Sequence, residues 1–134
     1  MKTAKIALLG AILSLALSTT AFAALDTSCM VTAVDKREDA IISAWDTYAA
    51  NYKAALETRQ TALLAAWTDT NKATRRAAVR NAWRNFRKSR RATWRTRRSA
   101  ILSAWRQFKT DRIACGAQSA DESGTQSEDL NVQQ

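Results

Sequence analysis

The 134-residue chain contains no histidine and no proline, only three glycines and only two cysteines. Each gap excludes something. Without histidine there is no imidazole base near neutral pH, and the common zinc sites lose a principal ligand. No glycine-rich loop is present to cradle a phosphate. Two methionines, one of them at position 1, cannot build a copper or haem site. The acids Asp35, Glu38, Asp39, Asp46 and Glu57 are scattered at helical spacing, and Glu38 and Asp39, as neighbours, point to different faces. The chain therefore reads as a non-enzyme, with no catalytic residue, metal site, cofactor or small-molecule substrate assigned. The same gaps remove the helix breakers. A chain rich in Ala, Arg, Leu, Gln and Lys then favours long helices.

Only one long apolar run exists. Lys2 and Lys5 precede it, it spans residues 6–17, and Ser18, Thr19 and Thr20 follow. Ala21-Phe22-Ala23 then fits the small-x-small rule of signal-peptide cleavage. The run is too short to cross a bilayer core of about 30 Å as a helix. Residues 1–23 are predicted to be a cleavable signal peptide, against the competing reading of an uncleaved anchor. The residues before Cys29 are Asp26, Thr27 and Ser28, which do not suit a lipoprotein signal. The mature chain would start at Ala24, carry no transmembrane segment, and be exported to the periplasm or the extracellular space.

Four segments share one pattern: Arg, two residues, Ala, an aliphatic, two residues, Ala-Trp. They begin at Arg37, Arg59, Arg75 and Arg97 and end at Trp45, Trp67, Trp83 and Trp105. An aromatic follows three residues after the tryptophan in three copies, as Tyr48, Phe86 and Phe108; the second copy has Thr70 there. The first two tryptophans are 22 residues apart, and so are the last two, whereas Trp67 and Trp83 are 16 apart. Twenty-two is twice eleven, and eleven residues make about three helical turns, so an apolar stripe runs almost straight along each half. It reads Ile41, Trp45, Tyr48, Tyr52, Leu56, Arg59, Leu63, Trp67 and then Val79, Trp83, Phe86, Arg90, Trp94, Arg97, Ile101, Trp105, Phe108. Trp94 extends the series to five, so Trp45, Trp67, Trp83, Trp94 and Trp105 are expected to form the core. Arg59, Arg90 and Arg97 are anomalous, being charges on that stripe.

The 16-residue step is about 160° out of phase at 3.6 residues per turn. A turn is therefore predicted at about residues 68–72, where Thr, Asp and Asn cluster as capping residues. The fold class that follows is all-α: a long antiparallel hairpin, with helix one over about 30–68 and helix two over about 73–114. Cys29 and Cys115 are nearly equidistant from that turn, so a hairpin brings them together, and a disulfide is expected in an exported protein. The domain would cover residues 24–115. Gly116 reads as a helix stop. Residues 116–134, with Asp121, Glu122, Glu128 and Asp129 and no base, read as a disordered acidic tail. Two helices give a thin core. Small residues on helix two (Ala78, Ala82, Thr93, Ala100, Ala104) would admit another helix, either from a second copy in a four-helix bundle or from a helix bending back.

Charge is the strongest functional signal. Residues 26–71 hold seven acids and four bases; residues 72–112 hold fifteen bases, twelve of them arginine, and one acid. Arg80, Arg84, Arg87, Arg91, Arg95 and Arg98 are spaced by three and four, making one ridge about 27 Å long beside the tryptophans. Such a ridge can track a phosphate backbone, because guanidinium binds phosphate in a bidentate fork. Arg37 and Arg59 of helix one lie off it. Two function classes compete on these residues. One is an exported protein binding polyanions, whether DNA, RNA or an anionic envelope polymer, without sequence specificity. The other is a structural or protein-interaction hairpin of the cell envelope: a spacer, an assembly subunit or a chaperone-like element. In that case the arginines solvate the surface or pair with the acids of helix one.

Overall fold

The computed structural model describes residues 24–118 and 124–130. The expected signal peptide, residues 1–23, and the tail positions 119–123 and 131–134 lie outside the described residues. Asp26 opens the first helix: its carboxylate accepts from the Cys29 amide at 3.0 Å, satisfying one of the free donors of the first turn. Helix α1 then runs unbroken over Thr27–Trp67, 41 residues. Its last carbonyls are closed by Thr68, whose amide and hydroxyl both donate to Ala65 O. Asp69 accepts from the Asn71 amide at 2.8 Å, and Asn71 in turn caps the next helix by accepting from the Ala73 and Thr74 amides. The polar cluster read from the sequence is thus a stop and a start back to back.

Helix α2 covers Lys72–Ala114, 43 residues, and packs along α1 as the second arm of the hairpin. Gly116, at φ 80°, ends it. The Gly116 amide donates to Ile113 O and the Ala117 amide to Arg112 O, a left-handed closure that glycine enters without a Cβ clash. At this open end the two arms are joined three ways. Cys29 and Cys115 form a disulfide with Cα atoms 5.5 Å apart, the Asp26 amide donates to Cys115 O at 3.0 Å, and Lys36 pairs with Asp111 at 3.1 Å. Hydrogen bonds from Gln107 and then Lys36 hold the Asp111 carboxyl below its ordinary range. Ala33, Phe108 and Cys115 form a buried cluster beneath this closure.

The packing seam corrects one expectation. The tryptophans do not line its centre, although Trp105 packs half-buried against the Ala33–Phe108–Cys115 cluster. The centre is lined by the alanine of every Ala-Trp pair: Ala44, Ala66, Ala82 and Ala104 are all buried, together with Ile41, Phe86, Ile101 and Phe108. A tryptophan between the arms would hold them apart, whereas alanine lets them close. The indoles therefore lie along one flank of the seam. Trp45 and Trp105 are half-buried, while Trp83, Trp94 and Trp67 are 40, 37 and 69 % exposed. Ala82 and Ala104 are consumed in this contact and cannot serve a further helix.

The tail supplies a second correction. Part of it is ordered: α3, the short helix Gln126–Leu130, lies against α2, with the Trp105 indole N–H donating to the Asp129 carboxylate at 2.7 Å. Two contacts fix it: Trp105 on another element, and a local cap in which the Glu128 carboxylate accepts from the Thr125 amide at 3.1 Å. Among the described residues no helix is long and apolar enough to cross a membrane.

Candidate functional site

Ten of the fourteen arginines fall into two sets with different surroundings; Arg76, Arg90, Arg106 and Arg112 belong to neither. The first set opens the four repeats. Arg37 lies over Trp105 and Phe108 at 4.5 and 4.2 Å from the ring centroids. Arg97 lies over Trp45 and Tyr48 at 4.1 and 4.6 Å. Arg59 covers Trp83 and Phe86 at 4.4 and 4.3 Å, and Arg75 covers Trp67 at 5.5 Å. Each arginine and the tryptophan it covers stand equally far in sequence from Asn71, one before it and one after. The first and fourth repeats therefore brace each other reciprocally, as do the second and third. A local two-fold relation through the turn places them so.

Within a repeat the tryptophan and the aromatic three residues on meet edge to face. The centroid separations are 5.9 Å for Trp45–Tyr48, 6.2 Å for Trp83–Phe86 and 5.8 Å for Trp105–Phe108. Two rings set at right angles make a notch that a planar guanidinium fills. The second repeat has Thr70 in place of the second ring, and there the arginine sits farthest from the indole. This accounts for charge on the apolar stripe. Arg97 is 4 % and Arg37 8 % exposed. Arg37 also pairs with Glu38 at 2.7 Å, whereas Arg97 Nε is buried without a hydrogen-bond partner. Arg90, the third anomaly, is simply exposed.

The second set is the ridge. Arg80, Arg84, Arg87, Arg91, Arg95 and Arg98 are all exposed on α2. Among the described residues none of the six forms an ion pair; Arg95 donates to Arg91 O, and Arg98 lies 5.6 Å from the Trp94 ring centroid. The pairing with helix-one acids that an antiparallel hairpin could allow is absent for a geometric reason. At about 100° per residue, Asp35, Asp39, Asp46 and Glu57 fall on the side of α1 turned away from α2, and the ridge falls on the side of α2 turned away from α1. The two charge sets occupy opposite long edges of the hairpin. Among the described residues Asp35, Asp39 and Asp46 likewise make no ion pair, and Glu57 pairs only with its helix neighbour Lys53 at 3.8 Å.

A third feature is a groove of about 490 Å³ along the hairpin, lined by Ala40, Ser43, Thr47, Thr96, Ala100 and Ser103, with Arg37 and Arg97 among its further walls and no tryptophan. It lies on the side of the seam opposite the indoles. No protein family, curated protein or solved structure matches this chain.

Proposed function

We propose that this is an exported, non-enzymatic protein whose ridge of Arg80, Arg84, Arg87, Arg91, Arg95 and Arg98 binds polyanions, nucleic acid or an anionic envelope polymer, without sequence specificity. The observation that carries this reading is the separation of the two edges. Six guanidinium groups are exposed on one edge with no carboxylate of the described hairpin paired to them. Counterions held there are released when a polymer of phosphates or sulfates takes their place, which favours binding at low and moderate salt.

The test is a salt titration of polymer binding. Changing Arg84, Arg87, Arg91 and Arg95 together to Gln removes four cations with little change in helix propensity. The log–log slope of affinity against salt should become shallower by roughly three to four units, at about 0.9 for each phosphate that is no longer neutralised. Helicity should be unchanged, since all four side chains are exposed. The control is Lys53→Gln on the opposite edge, a cation that, unlike Arg37 and Arg59, does not brace the fold. Binding by the quadruple variant equal to that of the unaltered protein ends the ridge reading.

The second reading, a structural or interaction hairpin that self-associates, has one observation in its favour. The middle of the groove is lined by the small residues Ala40, Ser43, Thr47, Thr96, Ala100 and Ser103, with Lys36, Arg37, Asp111 and Arg97, whose Nε has no hydrogen-bond partner, among its other walls. A second copy lying with its acidic arm over the basic arm of the first would bring the opposite edges together. Sedimentation of the unliganded protein at monomer mass would end that reading.

A further inference from the structure

We infer that the polyanion is a single-stranded nucleic acid, with Trp83 and Trp94 stacking its bases while the arginines between and beside them hold its phosphates. This rests on the ridge reading and specifies its ligand.

Trp94 is the tryptophan that the repeat does not explain. It lies outside the four repeats, and no arginine of α1 covers it. The residue is 37 % exposed, and its ring lies against Arg98 of its own helix. The midpoint between the two tryptophans of α1 is Leu56, which is half-buried. The hairpin therefore places a large exposed indole at the midpoint only on the arginine-bearing arm. The part of this indole left open to water gains nothing from burial, and it is the part a flat ligand can stack against.

Spacing places this ring on the same track as the ridge. Trp83, Trp94 and Trp105 are eleven residues apart, which puts them about 16 Å apart on nearly one line of the helix surface. Arg87 and Arg91 fall between Trp83 and Trp94, and Arg98 follows. On the helical wheel these arginines lie within about 60° of the tryptophan line. Arg59 covers one face of the Trp83 ring, yet the residue is still 40 % exposed. Trp105 closes the track, since it is half-buried and its N–H is held by Asp129.

Alternating cations and flat rings along one exposed line match a polymer that alternates phosphate and free base. A duplex presents phosphates but keeps its base faces stacked on one another. A sulfated or phosphorylated polysaccharide has charge and no aromatic face. A single strand offers both, and stacking on indole is tolerant of base identity.

The experiment uses the mature chain with its disulfide intact. Three probes are compared at the same moderate salt: a thymidine oligonucleotide of about twenty nucleotides, a duplex of equal length, and heparin, which carries charge without bases. The single strand should bind about tenfold or more tightly than the duplex, and should quench tryptophan fluorescence. Trp94→Leu should weaken the single strand about tenfold, the scale of one base–aromatic stack, and Trp94→Phe should recover part of that loss. Duplex and heparin binding and the salt slope should be unchanged in both variants, and both should remain folded at the temperature of the assay. Equal affinity for all three probes, or single-strand binding untouched by Trp94→Leu, overturns the inference and leaves the ridge reading standing. Binding of none of the three overturns both.

Discussion

The reciprocal arginine braces can be weighed against one another inside a single molecule. Take Arg97→Met, Trp45→Leu and the double variant. Arg97→Met keeps the stem and removes the cation. Its net effect is expected to be small, because a buried charge and its desolvation cost leave together. The coupling between the two sites is the informative quantity. Cation–π attraction amounts to about 0.5–1 kcal/mol at exposed sites and about 2 kcal/mol when desolvated. Arg97 is buried and lies 4.1 Å from the Trp45 centroid, so the coupling should be about 1.5–2 kcal/mol. Arg75 and Trp67 provide the internal comparison: 5.5 Å apart, with the indole 69 % exposed, they should couple by about 0.5 kcal/mol. Urea unfolding followed by circular dichroism, with the disulfide intact in every variant, reads both cycles. Equal couplings at the two sites, or a coupling near zero at Arg97–Trp45, would refute the view that the guanidinium groups hold the arms together.

Two further outcomes follow from the closed end of the hairpin. Intact-mass measurement before and after reduction should show the two-hydrogen gain of one disulfide, and reduction should lower stability by about 4–5 kcal/mol, the chain-entropy value for a separation of 86 residues; free thiols that alkylate without reductant would contradict it. Asp129→Asn removes a carboxylate from the end of the basic arm, so polyanion binding should tighten, most at low salt, and removing residues 119–134 should do the same. That truncation begins after Ala117, which is buried and completes the helix closure. Unchanged or weaker binding would count against a competing tail.

Most of the hairpin was legible because its signals are arithmetic. The eleven-residue spacing shows two straight stripes, the 16-residue step is out of phase with any single helix, and the cysteines straddle the same centre. The role of each stripe residue was less legible. Hydrophobicity ranks tryptophan above alanine as a core residue, but the distance between two helix axes is set by the smallest residues that fit between them. Hence Ala44, Ala66, Ala82 and Ala104 took the seam and the indoles took the flank. The leading arginines of the repeats looked like errors in an apolar pattern for the same reason. Their partners lie on the other arm, and only the register of the hairpin reveals that each covers the tryptophan equidistant from Asn71. One signal in the sequence pointed there: an arginine recurring at the same place in all four repeats is part of the packing unit.

The braces and the seam obey the local two-fold relation, since each arm presents the same Arg, Ala and Trp positions to the other. Nothing in that packing requires the outer positions of the two arms to differ. Either set of charges would solvate a helix edge equally well, and a mixed set would do so at less cost in self-repulsion. Yet the outer edge of α1 carries Asp35, Asp39, Asp46 and Glu57, while that of α2 carries six exposed arginines and stands beside Trp94. The asymmetry thus lies where the packing does not call for it. Repulsion along the arginine edge is a standing cost to the unliganded protein, and an anionic polymer laid along that edge would relieve it. A salt dependence of folding provides a sign for this: moderate salt should raise the thermal midpoint of the unaltered protein by screening the ridge, and should do so less for the variant with Arg84, Arg87, Arg91 and Arg95 changed to Gln. Equal salt responses would mean that the ridge carries no such strain, and the case for a bound polymer would lose its energetic motive.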